Sequence, residues 1–420
     1  MSLRYRIRES QYYGLPRTVY ILAVGKMINC IGAFINPLLT LILVQKIGLS
    51  VKEAGYMVTY AMLLQAPFMI LGGKLVDSIG PKRVIVIFQS AAAMIFIICG
   101  FMPMNKTLVY FLIAQSCLSA LTTSCFDAIV GNITHEGNRK ISFSLIYMGL
   151  NLGFAIGPGL GALMFEKHLS WLFVGDGITT LICALLIAIF VRNSEYTSVI
   201  IDRSSQEEKM EGSVFKVLLE RPAILVFSLT MLLFRFVFAQ FNFTIPIQLN
   251  EVLGEVDGAV VFGVLCSLNG LVVITFTPIV TKLTKNFKPT DAMALGGFLY
   301  SFFFGICGFC TMEWQFFVIV MFVTLGEILV ATNQGAYIAS LTPTSHRGRI
   351  LSIIPIVTGL GYSFSASIMG MLITGVGIKF SWMIVGIVGG SATIMMYTQK
   401  YNKRMNYNAC NTAISARDCP

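Results

Sequence analysis

Long apolar stretches dominate the hydrophobic pattern of this chain and recur from Tyr20 to Met396, separated by short polar connections. Each stretch holds about twenty residues, the length that an α-helix needs to cross roughly 30 Å of hydrocarbon. The stretches lack the alternation of polar and apolar positions that marks the strands of a membrane barrel. The pattern therefore predicts an all-α membrane protein with twelve transmembrane spans, at residues 17–45, 53–72, 83–103, 107–133, 141–165, 169–191, 221–249, 258–281, 290–311, 314–341, 351–375 and 379–398.

Composition supports a bilayer-embedded chain. Hydrophobic residues make up 56% of it and charged residues 12%, whereas about a quarter of the residues of a soluble domain are charged. The net charge of +10 does not indicate a nucleic-acid partner, because the basic residues form no cluster of that kind. Instead, 23 of the 30 Lys and Arg residues fall on the termini and on alternate connections. The positive-inside rule then predicts that both termini are cytoplasmic.

The longest polar stretch divides the twelve spans into six and six. We predict a cytoplasmic N-terminal segment (1–16), a first six-helix bundle (17–191), a cytoplasmic linker (192–220), a second six-helix bundle (221–398) and a cytoplasmic tail (399–420).

An internal repeat relates the two halves at an offset of about 208 residues. Lys26 precedes a proline, Pro37, by the same interval at which Arg235 precedes Pro246. Repeats of this parallel kind predict two pseudo-symmetric bundles with a cavity between them.

The stretch GGKLVDSIGPKR, residues 72–83, joins the second and third spans. Gly72, Gly73 and Gly80 predict a tight turn there, and its basic residues suit the anionic cytoplasmic leaflet. In the fifth span, GFAIGPGLG places Gly153, Gly157 and Gly161 on one helix face, which predicts close packing against another helix. Pro158 is expected to bend that helix.

These two motifs resemble signatures of a known family. The first resembles the helix 2–3 motif of the major facilitator superfamily, through Gly73, Leu75, Asp77, Gly80, Lys82 and Arg83. The second, with Gly153, Gly157, Pro158 and Gly161, is similar to the Gly-Pro signature of its proton-coupled multidrug efflux branch, the drug/proton antiporters. The resemblance implies a major facilitator fold that works by alternating access, with the proton gradient as its energy source and no bound cofactor.

Both motifs have a predicted conformational role. We interpret Asp77 as a latch against the N-terminal end of the eleventh span, near Leu351, because a helix N-terminus attracts a carboxylate. We interpret the glycine face of the fifth span as a packing surface that controls how the two bundles move relative to each other. Close packing without such a role is the alternative.

Ionisable residues inside the spans are candidates for chemistry, because a buried charge is costly unless it is paired or hydrated. Arg235 and Glu327 each lie near the middle of a span, and Lys26 and Asp127 lie nearer the cytoplasmic ends of theirs. We predict that Glu327 is a protonatable carboxylate that Arg235 tunes, and that Lys26 and Asp127 form a second pair. Structural ion pairs are the alternative. Asn29 and Gln240 are predicted to line the substrate path.

One further acid, Asp176, lies near the outer end of the sixth span. We expect it to be structural, as a local cap or partner in a peripheral helix. His135, His168 and His346 fall in separate connections, so the sequence predicts neither a metal site nor an enzyme.

Two functions remain open from the sequence. The first is proton-coupled efflux of amphipathic or cationic drugs, or of other small molecules, through a bacterial cell membrane. The second is transport of an organic anion or a phosphorylated solute, with Lys26 and Arg235 as the anion-binding cations. In both cases the partners are a small-molecule substrate and the lipid bilayer, and the chain is expected to act as a monomer.

Overall fold

The computed structural model describes residues 12–191, 222–284, 286–341 and 347–415. Within these residues twelve helices are long and apolar enough to cross a membrane. They confirm the predicted all-α membrane class. We number them α1 Arg17–Lys46, α2 Val51–Ile79, α3 Pro81–Gly100, α4 Lys106–Ile133, α5 Glu136–Met164, α6 Leu169–Phe190, α7 Pro222–Leu253, α8 Glu255–Leu283, α9 Pro289–Cys307, α10 Glu313–Leu341, α11 Arg347–Val376 and α12 Ile378–Ser415.

Glycines in a left-handed backbone conformation end several of these helices. Gly48, Gly80, Gly254 and Gly377 have φ between 78° and 86° and lie between consecutive helices. Glycine adopts this conformation without the steric strain that a side chain would add. Each of these connections is therefore short, and the chain enters the next helix within a few residues.

The predicted end of the second span at residue 72 is wrong. α2 continues to Ile79, so Gly72 and Gly73 are helical, and the turn consists of Gly80 with Pro81 at the first position of α3. Gly72 has a packing role instead, because a Cβ there would lie 2.2 Å from the Leu121 carbonyl oxygen of α4. Asp77 accordingly lies on the last turns of α2 and not in a loop.

Two helices of the N-terminal half are interrupted, which the hydrophobic pattern did not predict. α1 consists of Arg17–Ile31, Ile35–Leu41 and a final π-helical turn, Ile42–Lys46. α4 consists of Lys106–Ala120 and Cys125–Ile133. Broken membrane helices occur where the freed backbone groups are buried in protein or line a cavity.

The chain divides into two compact units. Of the described residues, the first unit takes those within Met1–Ser50, Met57–Lys209 and Leu249–Ile274, and the second takes those within Val51–Tyr56, Met210–Gln248 and Thr275–Pro420. The first part of α8 thus belongs with the N-terminal helices. The beginning of α2 belongs with the C-terminal helices, where Gly370 of α11 approaches Val51.

Within the first unit, α5 is packed closely on two sides. A Cβ at Gly157 would lie 2.6 Å from the Ile31 carbonyl oxygen of α1, and a Cβ at Gly153 would lie 2.7 Å from that of Met27. On another side, Gly263 of α8 approaches the carbonyl oxygen of Pro158, at 2.7 Å from its ideal Cβ position. The glycine face of α5 therefore does allow the close helix approach expected of small residues.

Candidate substrate cavity and buried charges

A cavity of about 410 Å³ lies inside the first unit, between α1, α2, α3, α4 and α6. Its size falls within the range of small-molecule sites in proteins, about 300–1,000 Å³. Two ionisable residues line it, Lys26 and Asp176. The other polar residues of the wall are Asn29, Asn36, Gln65, Gln89, Gln115, Ser116, Ser119, Thr122, Thr123 and Thr180. Aliphatic, methionine and phenylalanine side chains complete the wall, so the cavity is suited to an amphipathic molecule.

The interruption of α1 forms part of this wall. The second segment of α1 begins at Ile35, whose backbone N–H donates a hydrogen bond to the Asp176 carboxylate at 3.3 Å. Asp176 is buried, with 4% of its surface exposed. A carboxylate at the start of a helical segment satisfies a backbone donor that has no intrahelical partner. Asp176 therefore caps a segment of another helix and lines the cavity, so the expectation of a local role in a peripheral helix is wrong.

Lys26 and Asn29 connect α1 to the neighbouring helices of the cavity. The Lys26 Nζ atom lies 4.8 Å from the centre of the Phe126 ring of α4, a cation–π geometry. The Asn29 Nδ2 atom donates a hydrogen bond to the Thr180 Oγ1 atom of α6 at 2.8 Å. Both predicted residues thus lie at the cavity.

Gln89 is placed at the cavity by a π-helical turn of α3, Ile85–Gln89. Single turns of π-helix inside α-helices are frequent at functional sites. The Gln89 side chain is 6% exposed, and its Oε1 atom has no hydrogen-bond partner among the described residues. A buried carbonyl oxygen without a partner is destabilising, so it is a candidate acceptor for a ligand.

A second, much smaller cavity of about 50 Å³ lies in the second unit. Arg235 of α7 and Glu327 of α10 both line it, together with the aromatic residues Phe234, Phe238 and Tyr300. The Tyr300 hydroxyl lies within electrostatic reach of both charges. The volume suffices for water, which needs about 10–15 Å³ of such space per molecule, but not for a drug-sized molecule.

The structure separates the remaining predicted residues from these cavities. Asp127 is exposed and is not part of either cavity wall, although it lies within electrostatic reach of Lys26. Gln240 is fully buried within α7, where its amide donates to the Phe236 carbonyl oxygen and accepts from the Thr244 hydroxyl, both at 2.8 Å. These bonds occupy Gln240 in its own helix.

The motif between α2 and α3 contains one defined contact to α6. The Lys82 Nζ atom donates a hydrogen bond to the Val191 carbonyl oxygen at 2.5 Å, directly after the end of α6. A cation at a helix C-terminus interacts favourably with the helix dipole. Gly73 faces open space, and Asp77 and Arg83 are exposed. The side chains of 347–356 lie outside the described residues, so the latch between Asp77 and the start of α11 stays a prediction.

Asp176, Gln89 and Thr180 were missed as cavity residues by the sequence analysis. The sequence did indicate Asp176, because it is an acidic residue within an apolar span. Without the packing of α6, however, the helix face on which Asp176 lies could not be assigned. Gln89 gave no comparable signal. Among the described residues no group of three or more His, Cys, Asp or Glu side chains is placed to hold a metal ion.

Comparison with known proteins gives one family match. The sequence model described as Major Facilitator Superfamily matches residues 22–326 and, overlapping with these, 261–407. The Na⁺, Li⁺, K⁺/H⁺ antiporter of Planococcus maritimus is 23% identical over 365 residues, which cover 79% of this chain and 84% of that protein. The multidrug resistance protein MdtH of Edwardsiella ictaluri is 23% identical over 394 residues, covering 90% and 93%.

Solved structures share the fold. A POT family transporter in complex with a thioalcohol-conjugated peptide superimposes with a TM-score of 0.77 at 14% identity, covering 93% of this chain and 97% of that one. Structural similarity at such low identity supports the architecture, and function must be argued from the site.

Proposed function

Because the chain belongs to the Major Facilitator Superfamily, we propose that this multi-pass membrane transporter couples the efflux of amphipathic or cationic small molecules to the entry of protons. The mechanism is alternating access, with no covalent step and no bound cofactor. The cavity of the first unit binds the substrate, and the Arg235–Glu327 cavity of the second unit binds and releases the proton.

The observation that carries the proposal is the 410 Å³ cavity with its mixed lining. Apolar side chains such as Met57, Met62 and Phe96 offer surface to varied apolar groups, and methionine adapts its shape readily. Asp176 provides a carboxyl group in the same wall, and a cationic substrate beside it favours the ionised form of that group. A cationic amphipathic molecule therefore finds both an apolar surface and a countercharge.

Proton coupling is assigned to Glu327. Its carboxylate lines a cavity of about 50 Å³ with Arg235 and buried aromatic side chains. In such surroundings a carboxylate changes its protonation when its hydration or its cationic neighbour changes. A conformational change that alters access to Glu327 would thus alter its proton affinity. The antiporter relative, whose name includes H⁺, supports this assignment.

Orientation follows from the distribution of charge. The basic residues concentrate on the termini and on alternate connections of the sequence, and cytoplasmic loops carry such an excess. We therefore place both termini in the cytoplasm of a bacterial cell, and substrate efflux is directed away from that side.

Organic anion transport is the competing function, because Lys26 also lines the substrate cavity. Substrate charge distinguishes the two functions. Proteoliposomes with an acidic lumen are given tetraphenylphosphonium or the organic anion p-aminohippurate outside, and uptake is measured with and without the pH gradient. Gradient-dependent uptake of the cation supports the proposal. Uptake of the anion alone would replace it with the alternative, and exchange of Na⁺ for H⁺ without either would indicate an alkali-cation antiporter.

Glu327→Gln tests the coupling site in the same vesicles. We expect this variant to lose the accumulation that the pH gradient drives, because an amide cannot exchange a proton. The matched control is Glu313→Gln, which removes an exposed carboxylate from the start of the same helix. Full gradient-driven accumulation by Glu327→Gln would remove this residue from the coupling step.

A further inference from the structure

We propose that the cavity of the first unit binds molecules that carry an ammonium group at one end and an anionic group at the other. This inference rests on the proposed function for its transport consequence, since it specifies the substrate class of the same cavity. It is carried by three features of the wall: the Asp176 carboxylate, the free Gln89 carbonyl oxygen and the Lys26 ammonium group.

Asp176 forms the negative end of the cavity. Its carboxylate accepts hydrogen bonds from the Ile35 and Phe34 N–H groups and from the Thr180 hydroxyl, and an ionised carboxylate has about four acceptor positions. These three donors leave about one acceptor position, and Asp176 lines the cavity in which a ligand would use it. A ligand ammonium group supplies the countercharge that a buried carboxylate requires.

Gln89 is the independent indication of a ligand. Gln89 lines the same cavity, and its Oε1 atom is buried without a hydrogen-bond partner among the described residues, so rotation of the side chain would present this atom to a ligand. A polar atom in this state loses its hydration without compensation. A ligand with N–H or O–H donors removes that penalty, so occupation of the cavity by a polar ligand is favoured over occupation by an apolar one.

Lys26 forms the positive end. It lies nine residues before Ile35, the residue that Asp176 holds. The helical part from Lys26 to Ile31 rises about 7.5 Å at 1.5 Å per residue, and the non-helical residues 32–34 separate its end from Ile35. The two charges are therefore at different ends of the cavity, and they suit a ligand whose own charges are separated by an apolar chain.

A ligand with both charges fits this wall better than a ligand with one. A simple cation pairs with Asp176 but brings no partner for Lys26, and a simple anion does the opposite. In a site with little water, each unmatched charge is costly, whereas matched pairs are stabilised. The cavity wall thus suits a ligand that carries both of the charges that the sequence analysis left as alternatives.

The test uses three probes of similar length, 8-aminooctanoate, octylamine and octanoate, and the purified full-length protein in detergent. Dissociation constants are measured by the ligand-dependent shift of thermal unfolding. We expect 8-aminooctanoate to bind about 10-fold to 100-fold more tightly than either singly charged probe, which is the range expected for one charged hydrogen bond. Equal binding of all three probes, or no binding of 8-aminooctanoate, would overturn the inference.

Two substitutions test which residue forms the negative end of the cavity and which forms the positive end. Asp176→Asn keeps an oxygen to cap Ile35 but removes the charge, so 8-aminooctanoate and octanoate should then bind equally. Lys26→Gln should make 8-aminooctanoate and octylamine equal. The control is Glu166→Gln, which removes a carboxylate that pairs with Lys46 outside the cavity, at 2.7 Å. Unchanged selectivity in Asp176→Asn and Lys26→Gln contradicts the inference.

Binding and transport can fail separately. If the zwitterion binds selectively but no pH gradient drives uptake of any probe, the binding site stands and the proposed proton coupling fails. If the gradient drives uptake of tetraphenylphosphonium while 8-aminooctanoate shows no preference, the proposed function stands and the zwitterion inference fails.

Discussion

Replacing Gly157 with alanine should displace α1 at the point where that helix is interrupted. An ideal Cβ at Gly157 lies 2.6 Å from the Ile31 carbonyl oxygen and 2.7 Å from that of Cys30. Both neighbours are backbone atoms, so no side chain can rotate away. Ile31 ends the first segment of α1. The added methyl group therefore pushes on the helix that carries Lys26.

The size of the displacement follows from these distances. Carbon and oxygen atoms in close contact lie at about 3.3 Å, so α1 must retreat by about 0.6–0.7 Å. Overpacking of this kind destabilises proteins by about 1–3 kcal/mol. The better helix propensity of alanine offsets about 0.8–1 kcal/mol of that loss. We expect a net destabilisation of about 0–2 kcal/mol, with a larger effect on transport because α1 supplies part of the cavity wall.

Thermal unfolding in detergent measures the first effect, and gradient-driven uptake of tetraphenylphosphonium measures the second. Gly359→Ala is the matched control, because Gly359 is helical in α11 and an added Cβ meets nothing within 4 Å. This control should be neutral or slightly stabilising, with normal transport. A Gly157→Ala protein that unfolds at the same temperature as the control and transports equally well would refute the argument.

Two further predictions concern stability. Gly80→Ala should cost about 1–2 kcal/mol, because φ at Gly80 is 85° and this region strains residues with a Cβ. Gly73→Ala, in open space within α2, should show no such loss in the same unfolding assay. Gln248→Leu should cost about 1–3 kcal/mol, because the Gln248 Oε1 atom accepts a hydrogen bond from the Trp382 Nε1 atom at 2.5 Å in a buried site. A double-mutant cycle with Trp382→Phe should give a coupling energy of about 0.6–2 kcal/mol, and the absence of coupling would contradict this prediction.

The transmembrane spans could be predicted because the bilayer constrains the backbone more strongly than side-chain contacts do. A segment inside hydrocarbon must satisfy its own backbone hydrogen bonds, so apolar length is sufficient to identify a helix. Polar residues at the helix ends weaken this rule. The predicted second span ended at residue 72, where glycines and charged residues begin, but α2 continues to Ile79. Its final turns extend beyond the apolar stretch, which hydropathy cannot detect.

The interruption of α1 could not be predicted because its cause is tertiary. Gly32 and Pro37 lie near the break, but Pro246 at the corresponding position of α7 leaves that helix continuous. At the break in α1, the Ile35 N–H is bonded to Asp176, which lies 141 residues away in the sequence. No local pattern contains that contact.

Candidate residues were predicted unevenly for a related reason. Ionisable residues in apolar spans are conspicuous, so Lys26, Arg235 and Glu327 could be selected from sequence, and each lines a cavity. Uncharged polar residues are ambiguous, because the same amide can line a cavity or bond within its own helix. Asn29 does the first and Gln240 does the second. Only the direction of the side chain decides between these outcomes.

The internal repeat indicates where the two halves have diverged. Lys26 and Arg235 occupy corresponding positions, but the cavity at Lys26 measures about 410 Å³ and the one at Arg235 about 50 Å³. In the second unit the rings of Phe234 and Phe238 pack against Tyr300, with centroids 6.0 and 5.8 Å apart, and fill space beside Arg235. Since a broken helix opens volume and an aromatic cluster removes it, related sequence positions now provide room for a substrate in one half and a confined charge pair in the other. The proposed division of substrate binding and proton exchange between the halves rests on this difference in volume.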